Sequence, residues 1–374
     1  MKKTIFSNLF NEVTLFFLVC SFTLTLIVWI IQAVNFIDIV SEDGHSIATY
    51  FSYSVLNIPK IYSKLLLLSF FLSLYYILGV YEDKNQLIIF WINGISKGEF
   101  LNKLIYLSMI FVFFSFLLSF FIVPYTQDKA RSFIRNSSLD FFPSLIKPKK
   151  FIDTVENLTI FLDEKKQNSM KKILIKDSSI SGGSQLIISK AGKIISEEKQ
   201  NYLNLKDGII INFGKEKKLT SFNFEESTFN LNKYKTKTTI VPKIQEIKSS
   251  SIIKCLKILS IDMNKEVILD NLNCQKSFLK NLTQEIYKRI LLPFYIPIIS
   301  IIATLVVLKS NNNSKFKNFK IKVFLTGILV IVISQISINT ISINTQTGIA
   351  TLFLPLIFFT ILYLLFLKKA KSLS

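Results

Sequence analysis

The chain has 374 residues, half of them apolar and 35 of them Phe, and Lys and Arg outnumber Asp and Glu by 45 to 25. Length alone would suit two soluble domains, but this much apolar side chain belongs to a bilayer and excludes a wholly water-exposed enzyme. The formal net charge of +20 points to an acidic neighbour such as lipid phosphate, or to a Lys-rich solvated surface; composition alone does not choose between them.

A helix needs roughly 20 consecutive apolar residues to cross a hydrocarbon core of about 30 Å. The first such run is Val13 to Val34. Met1-Lys2-Lys3 before it resembles a secretory leader, but the run is too long and no small-x-small cleavage site follows, so a retained helix is expected. The loop Asn35 to Ile58 carries Asp38, Glu42 and Asp43 and no Lys or Arg. Spans at Ile61 to Val80 and Leu104 to Val123 complete a first triplet, and runs at Ile290 to Leu308, Val323 to Ile338 and Ala350 to Leu367 form a second.

Lys and Arg collect on the cytoplasmic side of short loops. The loop Lys309 to Lys322 has five Lys and no acid, and Lys368, Lys369 and Lys371 follow the last span, so both regions and the N-terminus are read as cytoplasmic. The acidic Asn35 to Ile58 loop, the Ser342 to Gly348 loop and the polar segment between the triplets then lie outside. A long domain translocates largely regardless of its charge.

Within that segment Tyr125 to Asn136 continues the third span as a polar, helix-permissive stretch. Short strands are expected at Asn157 to Asp163, Lys171 to Asp177, Gln185 to Ser189, Tyr202 to Leu205 and Gly208 to Phe213, with breaks at Ser181-Gly182-Gly183 and Asp207-Gly208. Leu203 with Leu205, and Phe222 with Phe224, alternate as strand residues do, predicting an antiparallel sandwich or partly open jelly roll. Thr239 to Leu282 contains no Gly and predicts one or two helices leading back to the membrane.

The residues offer little for catalysis. The single histidine, His45, sits in the acidic loop, so the outside domain can build neither a His-based zinc site nor a Ser-His-Asp triad. Phosphate-cradling loops need Gly five residues before a Gly-Lys pair, and Ile187 and Ile209 stand there instead. Asp163-Glu164 reads as a solvated turn. Cys255 and Cys274 could pair in an oxidising compartment, although the sequence favours free thiols.

Two stretches stand out. Tyr81 to Lys103 (YEDKNQLIIFWINGISKGEFLNK) holds an apolar patch, Leu87 to Ile92, between polar flanks and ahead of Asn93-Gly94. Such a patch fits either a protein partner or an interfacial helix lying on lipid, as its Trp91 would suit. At the entry to span four, Glu285 and Arg289 stand one helical turn apart, placed to pair with each other or with a lipid phosphate, and Pro293 and Pro297 follow.

Taken in order, Trp29-x-x-Gln32 through Phe36 and Asp38, Pro59, the loop ending Asn93-Gly94-Ile95-Ser96, Pro124, Ala191-x-Lys193, Leu203-x-Leu205-x-x-Gly208, Glu285-x-x-x-Arg289 and Pro293 to Tyr295 resemble the LptF/LptG permeases of the lipopolysaccharide exporter. The Trp-x-x-Gln and Glu-x-x-x-Arg runs look closer to the LptF branch. The resemblance implies a membrane α-helical fold of six transmembrane helices, three plus three, carrying a periplasmic β-jellyroll-like domain. Residues 1–124 would hold helices one to three with a coupling helix at about 82–97, residues 125–285 the periplasmic domain with helical connections, and residues 286–374 the last three helices and a cytoplasmic tail.

It further implies a non-catalytic, multi-pass inner-membrane subunit that works with an LptG-like second permease, an LptB-like ATPase dimer and an LptC-like bridge protein to move lipopolysaccharide, with no cofactor, metal or nucleic acid. Carried over, Glu82, Asp83, Gln86, Leu87, Phe90, Trp91 and Gly94 would meet the ATPase, and Gln32, Asn35, Glu285, Arg289, Leu203 and Leu205 the lipid. The sequence departs from the pattern at Lys84-Asn85-Gln86, where the family usually has an acidic residue that Glu82 or Asp83 would have to replace. Further departures are uncharged Gln32 and Asn35 in place of basic residues, and Leu67 in place of a Pro.

Overall fold

The computed structural model describes residues 2–37, 47–145, 148–155, 157–166, 169–179, 183–197, 200–214, 219–230, 243–261, 267–269, 272–309, 315–341 and 346–371. Asp38, Glu42, Asp43, His45, Ser181-Gly182 and residues 342–345 lie outside that set. The chain divides into two units, one of residues 1–30, 57–128 and 243–374, the other of residues 31–56 and 129–242.

Helices α1 (Lys2–Asn35), α2 (Ile47–Leu56), α3 (Ile58–Asp83), α4 (Ile88–Ile92), α5 (Lys97–Leu117) and α6 (Val123–Leu145) precede the strands. After them come α7 (Ser249–Ile261), α8 (Leu279–Ile290), α9 (Tyr295–Thr304), α10 (Phe316–Thr340) and α11 (Gln346–Lys371). Among the described residues five helical stretches are long and apolar enough to cross a membrane: Lys2–Asn35, Ile47–Asp83, Lys97–Ile134, Phe316–Thr340 and Leu352–Lys371. The pair Lys276–Ile290 and Leu292–Leu308, bent by 41°, makes a sixth if counted as one span. Pro293 follows the bend, where its ring and missing N–H break an α-helical ladder.

In the helical unit, α9 packs against α3, α5, α10 and α11, and every residue from Tyr295 to Thr304 is buried. It is the central helix, so it is apolar all round rather than on one stripe. Phe6, Leu9, Val13 and Phe17 of α1 join Phe70, Phe71 and Leu74 of α3 in the same core. Gly327 lets α10 approach α3 closely, because a Cβ there would overlap the Phe71 ring. A smaller core gathers Ile252, Cys255, Leu259, Leu272, Cys274 and Leu282 from α7, the hairpin β7 (Val267–Leu269) and β8 (Leu272–Cys274), and α8.

That core corrects the free-thiol expectation. Cys255 and Cys274 are joined as a disulfide with Cα atoms 5.7 Å apart. The cause is tertiary, since packing α7 on β8 brings together two residues 19 apart in sequence.

In the second unit the described strands form one antiparallel sheet. Its order, β1 (Ile152–Val155), β2 (Leu158–Lys166), β3 (Ser169–Asp177), β4 (Gly183–Glu197), β5 (Gln200–Gly214) and β6 (Leu219–Asn230), is a meander in which each strand pairs with its chain neighbours. The inserted antiparallel domain is therefore present. Tyr202–Leu205 and Gly208–Phe213, which read as two strands, are parts of the single strand β5.

The reason is a break in alternation that crosses the sheet in register. Buried residues run Leu158, Ile160, Leu162 in β2, then Ile173, Ile175 in β3 and Ile187, Ser189 in β4. Beyond the break the buried positions shift phase to Met170, Ile194, Leu203 and Leu205. In between, Glu164 pairs with Lys171, Lys171 with Ala191, Ala191 with Lys206, and Lys206 with Glu226. On each strand this row and the one beside it both lie off the buried face, so two successive residues point the same way. Lys172 and Asp207 absorb the distortion with φ near +50°. Lys171 bridges Glu164 at 3.1 Å and Lys172 bridges Asp163 at 2.8 Å, which holds the Asp163 carboxyl below its usual range.

Candidate functional site

Two ends of the helical unit carry chemistry, separated by the length of α3, roughly 1.5 Å for each of its residues.

At the first end a tight loop presents α4. Asn85 takes a left-handed φ of 55°, which Asn tolerates better than most side chains, and the Gln86 N–H donates to the Tyr81 carbonyl at 2.8 Å. Helix α4 stops at Gly94, whose φ of +69° suits glycine and whose surroundings are open. Ser96 then caps α5, accepting from the Glu99 N–H at 3.1 Å. Lys2 reaches across from α1, donating to the Gly94 carbonyl at 3.2 Å and lying 3.6 Å from Glu99.

Leu87 and Phe90 are both 1% exposed. Phe90 sits among aromatic rings, with centroids 5.3 Å from Phe6 and 5.1 Å from Phe100, and Trp91 lies 5.7 Å from Phe100. These residues anchor α4 from below. The face left in the open is Ile88, Ile89 and Ile92, of which Ile92 is 79% exposed. Of the acidic residues nearby, Glu82 is buried, and Asp83 holds the Lys320 ammonium at 2.8 Å while the Lys320 carbonyl accepts from Tyr75.

At the other end the Arg289 side chain is fully buried, 1% exposed. Its Nε donates to Glu285 Oε1 at 2.9 Å, Nη1 to the Ile247 carbonyl at 2.9 Å and Ser249 Oγ at 2.8 Å, and Nη2 to the carbonyls of Gln245 at 3.1 Å and Ile244 at 3.4 Å. A guanidinium has five N–H donors, and all five are spent on this chain. Ser249 passes the link on by donating to the Phe120 carbonyl at 2.6 Å. Glu285 and Arg289 therefore meet, and the guanidinium is committed to residues 244–249. Tyr287, Tyr295 and Ser337 form a buried hydroxyl cluster beside it.

Cations that sequence reasoning passed over stand near this clamp. Lys60 lies within electrostatic reach of Lys64, Lys288, Lys243 and Glu246, and Lys64 within reach of Lys288 and Glu285. A cavity of about 380 Å³ is lined by Lys243, Gln284, Glu285 and Lys288. The missed signal was Lys64 inside an apolar span, a placement that is costly and usually functional. At the start of α3, Asn57 Oδ1 accepts from Gln127 Nε2 at 3.0 Å.

In the second unit Gln32 is half-buried and Asn35 exposed, both on the last turns of α1. Leu203 and Leu205 are both 0% exposed, packed with Ile173, Ile175 and Ile194 in the sheet's own core. Among the described residues no group of three His, Cys, Asp or Glu gathers to hold a metal.

Apolar spans in two triplets, an antiparallel domain inserted between them and an apolar helix exposed in a short loop define a multi-pass membrane permease with a large inserted β domain. Residues 8–369 match the sequence profile of the lipopolysaccharide export system permease LptF/LptG, and the chain belongs to that family. It is also similar to Uncharacterized protein RP871 of Rickettsia prowazekii (strain Madrid E), 24% identical over 215 residues. That match covers 57% of this chain and 59% of the relative's length, so the chain spans less than two thirds of the curated relative it matches.

Proposed function

We propose that this chain is the permease half-subunit of an ABC exporter that lifts lipopolysaccharide, or a closely similar acidic multi-acyl lipid, out of the inner membrane. ATP is hydrolysed by an LptB-like ATPase dimer in the cytoplasm. An LptG-like permease completes the cavity, and an LptC-like protein receives the lipid from the β domain. The Trp29-x-x-Gln32 and Glu285-x-x-x-Arg289 runs favour the LptF-like role.

The observation that carries the reading is α4. Three exposed isoleucines on a helix fixed by an aromatic anchor make a small, rigid, apolar contact face, which is what a partner needs in order to push on the membrane helices rather than on a loose loop. Ile88, Ile89 and Ile92 supply the apolar contact, and Asp83, which pairs with Lys320 but keeps 49% of its side chain exposed, stays open to a partner. Basic residues beside this end support a cytoplasmic location, and the Cys255–Cys274 disulfide supports an oxidising compartment for the opposite one.

Lys60, Lys64 and Lys288 are the cations we assign to the lipid phosphates, in place of Gln32, Asn35 and the committed Arg289. An acyl chain crossing water needs a continuous apolar path. The interior row through Leu203 and Leu205 supplies apolar side chains for such a path.

The test is purification of the chain in mild detergent, followed by mass spectrometry of co-purifying proteins and lipids. An ABC ATPase, a second six-span permease and lipid A are expected. A chain that comes away clean, from cells that contain such an ATPase, would instead mark a membrane-anchored binding or assembly protein. A lipoprotein in place of lipid A would mark an exporter of a different cargo.

A further inference from the structure

We infer that Cys255 and Cys274 are the substrate of an extracytoplasmic protein thiol oxidase, which joins them before α7 packs on β8, and that this bond is a condition for building the Arg289 clamp. The inference rests on the outside placement of residues 243–290 proposed above and not on the lipid cargo.

Both cysteines are 0% exposed. Cys255 lies in the middle of α7 and Cys274 at the end of β8, and they share a core with Ile252, Leu259, Leu272 and Leu282. Thiol–disulfide exchange needs a thiolate to reach a sulfur atom directly, so a protein-sized oxidant has no route to either cysteine once that core has closed. Oxidation therefore comes first.

The core that encloses the bond is small, drawn from the connector between Ile244 and Ile286. A unit of roughly 40 residues rarely holds on apolar burial alone. Joining residues 19 apart takes loop entropy out of the unpacked chain and supplies what the burial lacks.

The same core sets where the clamp's acceptors stand. Ile244 and Ile247 pack in it, and their carbonyls, with that of Gln245, accept from the Arg289 guanidinium. Ser249, the first residue of α7, accepts from Arg289 and donates to the Phe120 carbonyl. When α7 parts from β8 these acceptors part from α8, and a guanidinium is costly to leave buried without them.

The chemistry is a two-step exchange. The thiolate of one cysteine attacks the oxidase disulfide, forming a mixed disulfide and releasing one oxidase thiolate; the thiolate of the other attacks the chain's own sulfur in that bond and releases the second. Two electrons and two protons pass from the Cys255 and Cys274 thiols to the oxidase, which leaves as a dithiol.

Counting thiols on the full chain tests this, with Cys20, the free cysteine of the first span, as the internal standard. Made in cells with the oxidase, unfolded in dodecyl sulfate and treated with a polyethylene glycol maleimide, the chain should take one adduct, and three when reduced after unfolding. Reductant given to the folded chain in detergent should leave the count at one. Made in cells lacking the oxidase, the chain should take three, and trypsin should cut after Lys248 roughly tenfold faster or more, while cutting after Lys190 in the sheet is unchanged. Cys255→Ala/Cys274→Ala should share that faster cleavage, and Cys20→Ser should not. Three adducts from cells with the oxidase, one from cells lacking it, reduction of the folded chain, or unchanged cleavage after Lys248 in Cys255→Ala/Cys274→Ala would each overturn the inference. In the first of these events, an impermeant maleimide applied to spheroplasts carrying Lys257→Cys in a cysteine-free chain separates the causes: labelling means that the segment is outside and the bond does not form, whereas no labelling means that the outside placement is wrong.

Discussion

Arg289 and Glu285 meet at 2.9 Å one turn apart on α8, and the guanidinium's other four donors hold residues 244–249 against that helix. The arrangement needs a planar fork of five donors, which Lys cannot supply. Arg289→Ala should cost about 3–5 kcal/mol, because it leaves a largely buried carboxylate and several carbonyls without their partner. Arg289→Lys should recover less than half of that. Thermal unfolding in detergent, with proteolysis across residues 243–249 as a second readout, checks the prediction. Full stability in Arg289→Lys would mean that charge alone suffices.

Helix α4 separates anchoring from contact. Phe90→Ala should destabilise the chain by about 3–5 kcal/mol, the usual loss for an aromatic removed from a core. Ile92→Ser, at a site 79% exposed, should leave unfolding within about 0.5 kcal/mol of the parent while reducing recovery of the ATPase at least fivefold in co-purification. Unchanged recovery would remove Ile92 from the docking face.

Leu205 is sealed inside the sheet. Leu205→Ala should therefore cost about 2–5 kcal/mol of β-domain stability. A photo-crosslinking amino acid at Leu205 should capture lipid only during ATP-driven turnover, whereas one at Ile209, 43% exposed, should not discriminate. Equal lipid capture at Leu205 with and without nucleotide would show an interior that stands open.

Gly327 and Phe71 bring α10 and α3 together. Gly327→Val should destabilise by about 1–3 kcal/mol through overpacking. Adding Phe71→Leu should return part of that loss, a coupling that a double-mutant cycle reads directly. Additive losses would mean the helices separate instead of clashing.

Much of this was legible without a structure. Apolar runs announce spans because hydrocarbon tolerates no unsatisfied backbone, and the inserted domain was visible as short Ile- and Leu-rich strands. Leu203-x-Leu205-x-x-Gly208 also carried the sheet's break in plain sight. Read with strict alternation, its doubled spacer looks like a turn between two strands, because only the neighbouring strands reveal that every one of them doubles at the same level. In α4 the five residues Ile88–Ile92 are all apolar, so periodicity had no contrast from which to choose an outward face.

The sequence by itself determined the solvent: six apolar stretches, the polar insert and the charge asymmetry are local properties, set by the cost of placing each residue in hydrocarbon or in water. The tertiary structure decided which groups are already spent. Arg289 finds acceptors 40 to 45 residues away, Asp83 finds Lys320 at a separation of 237, and Cys255 finds Cys274 by the packing of α7 on β8. A hydrogen bond or a disulfide depends on distance in space, and no spacing along the chain encodes that until the helices have packed.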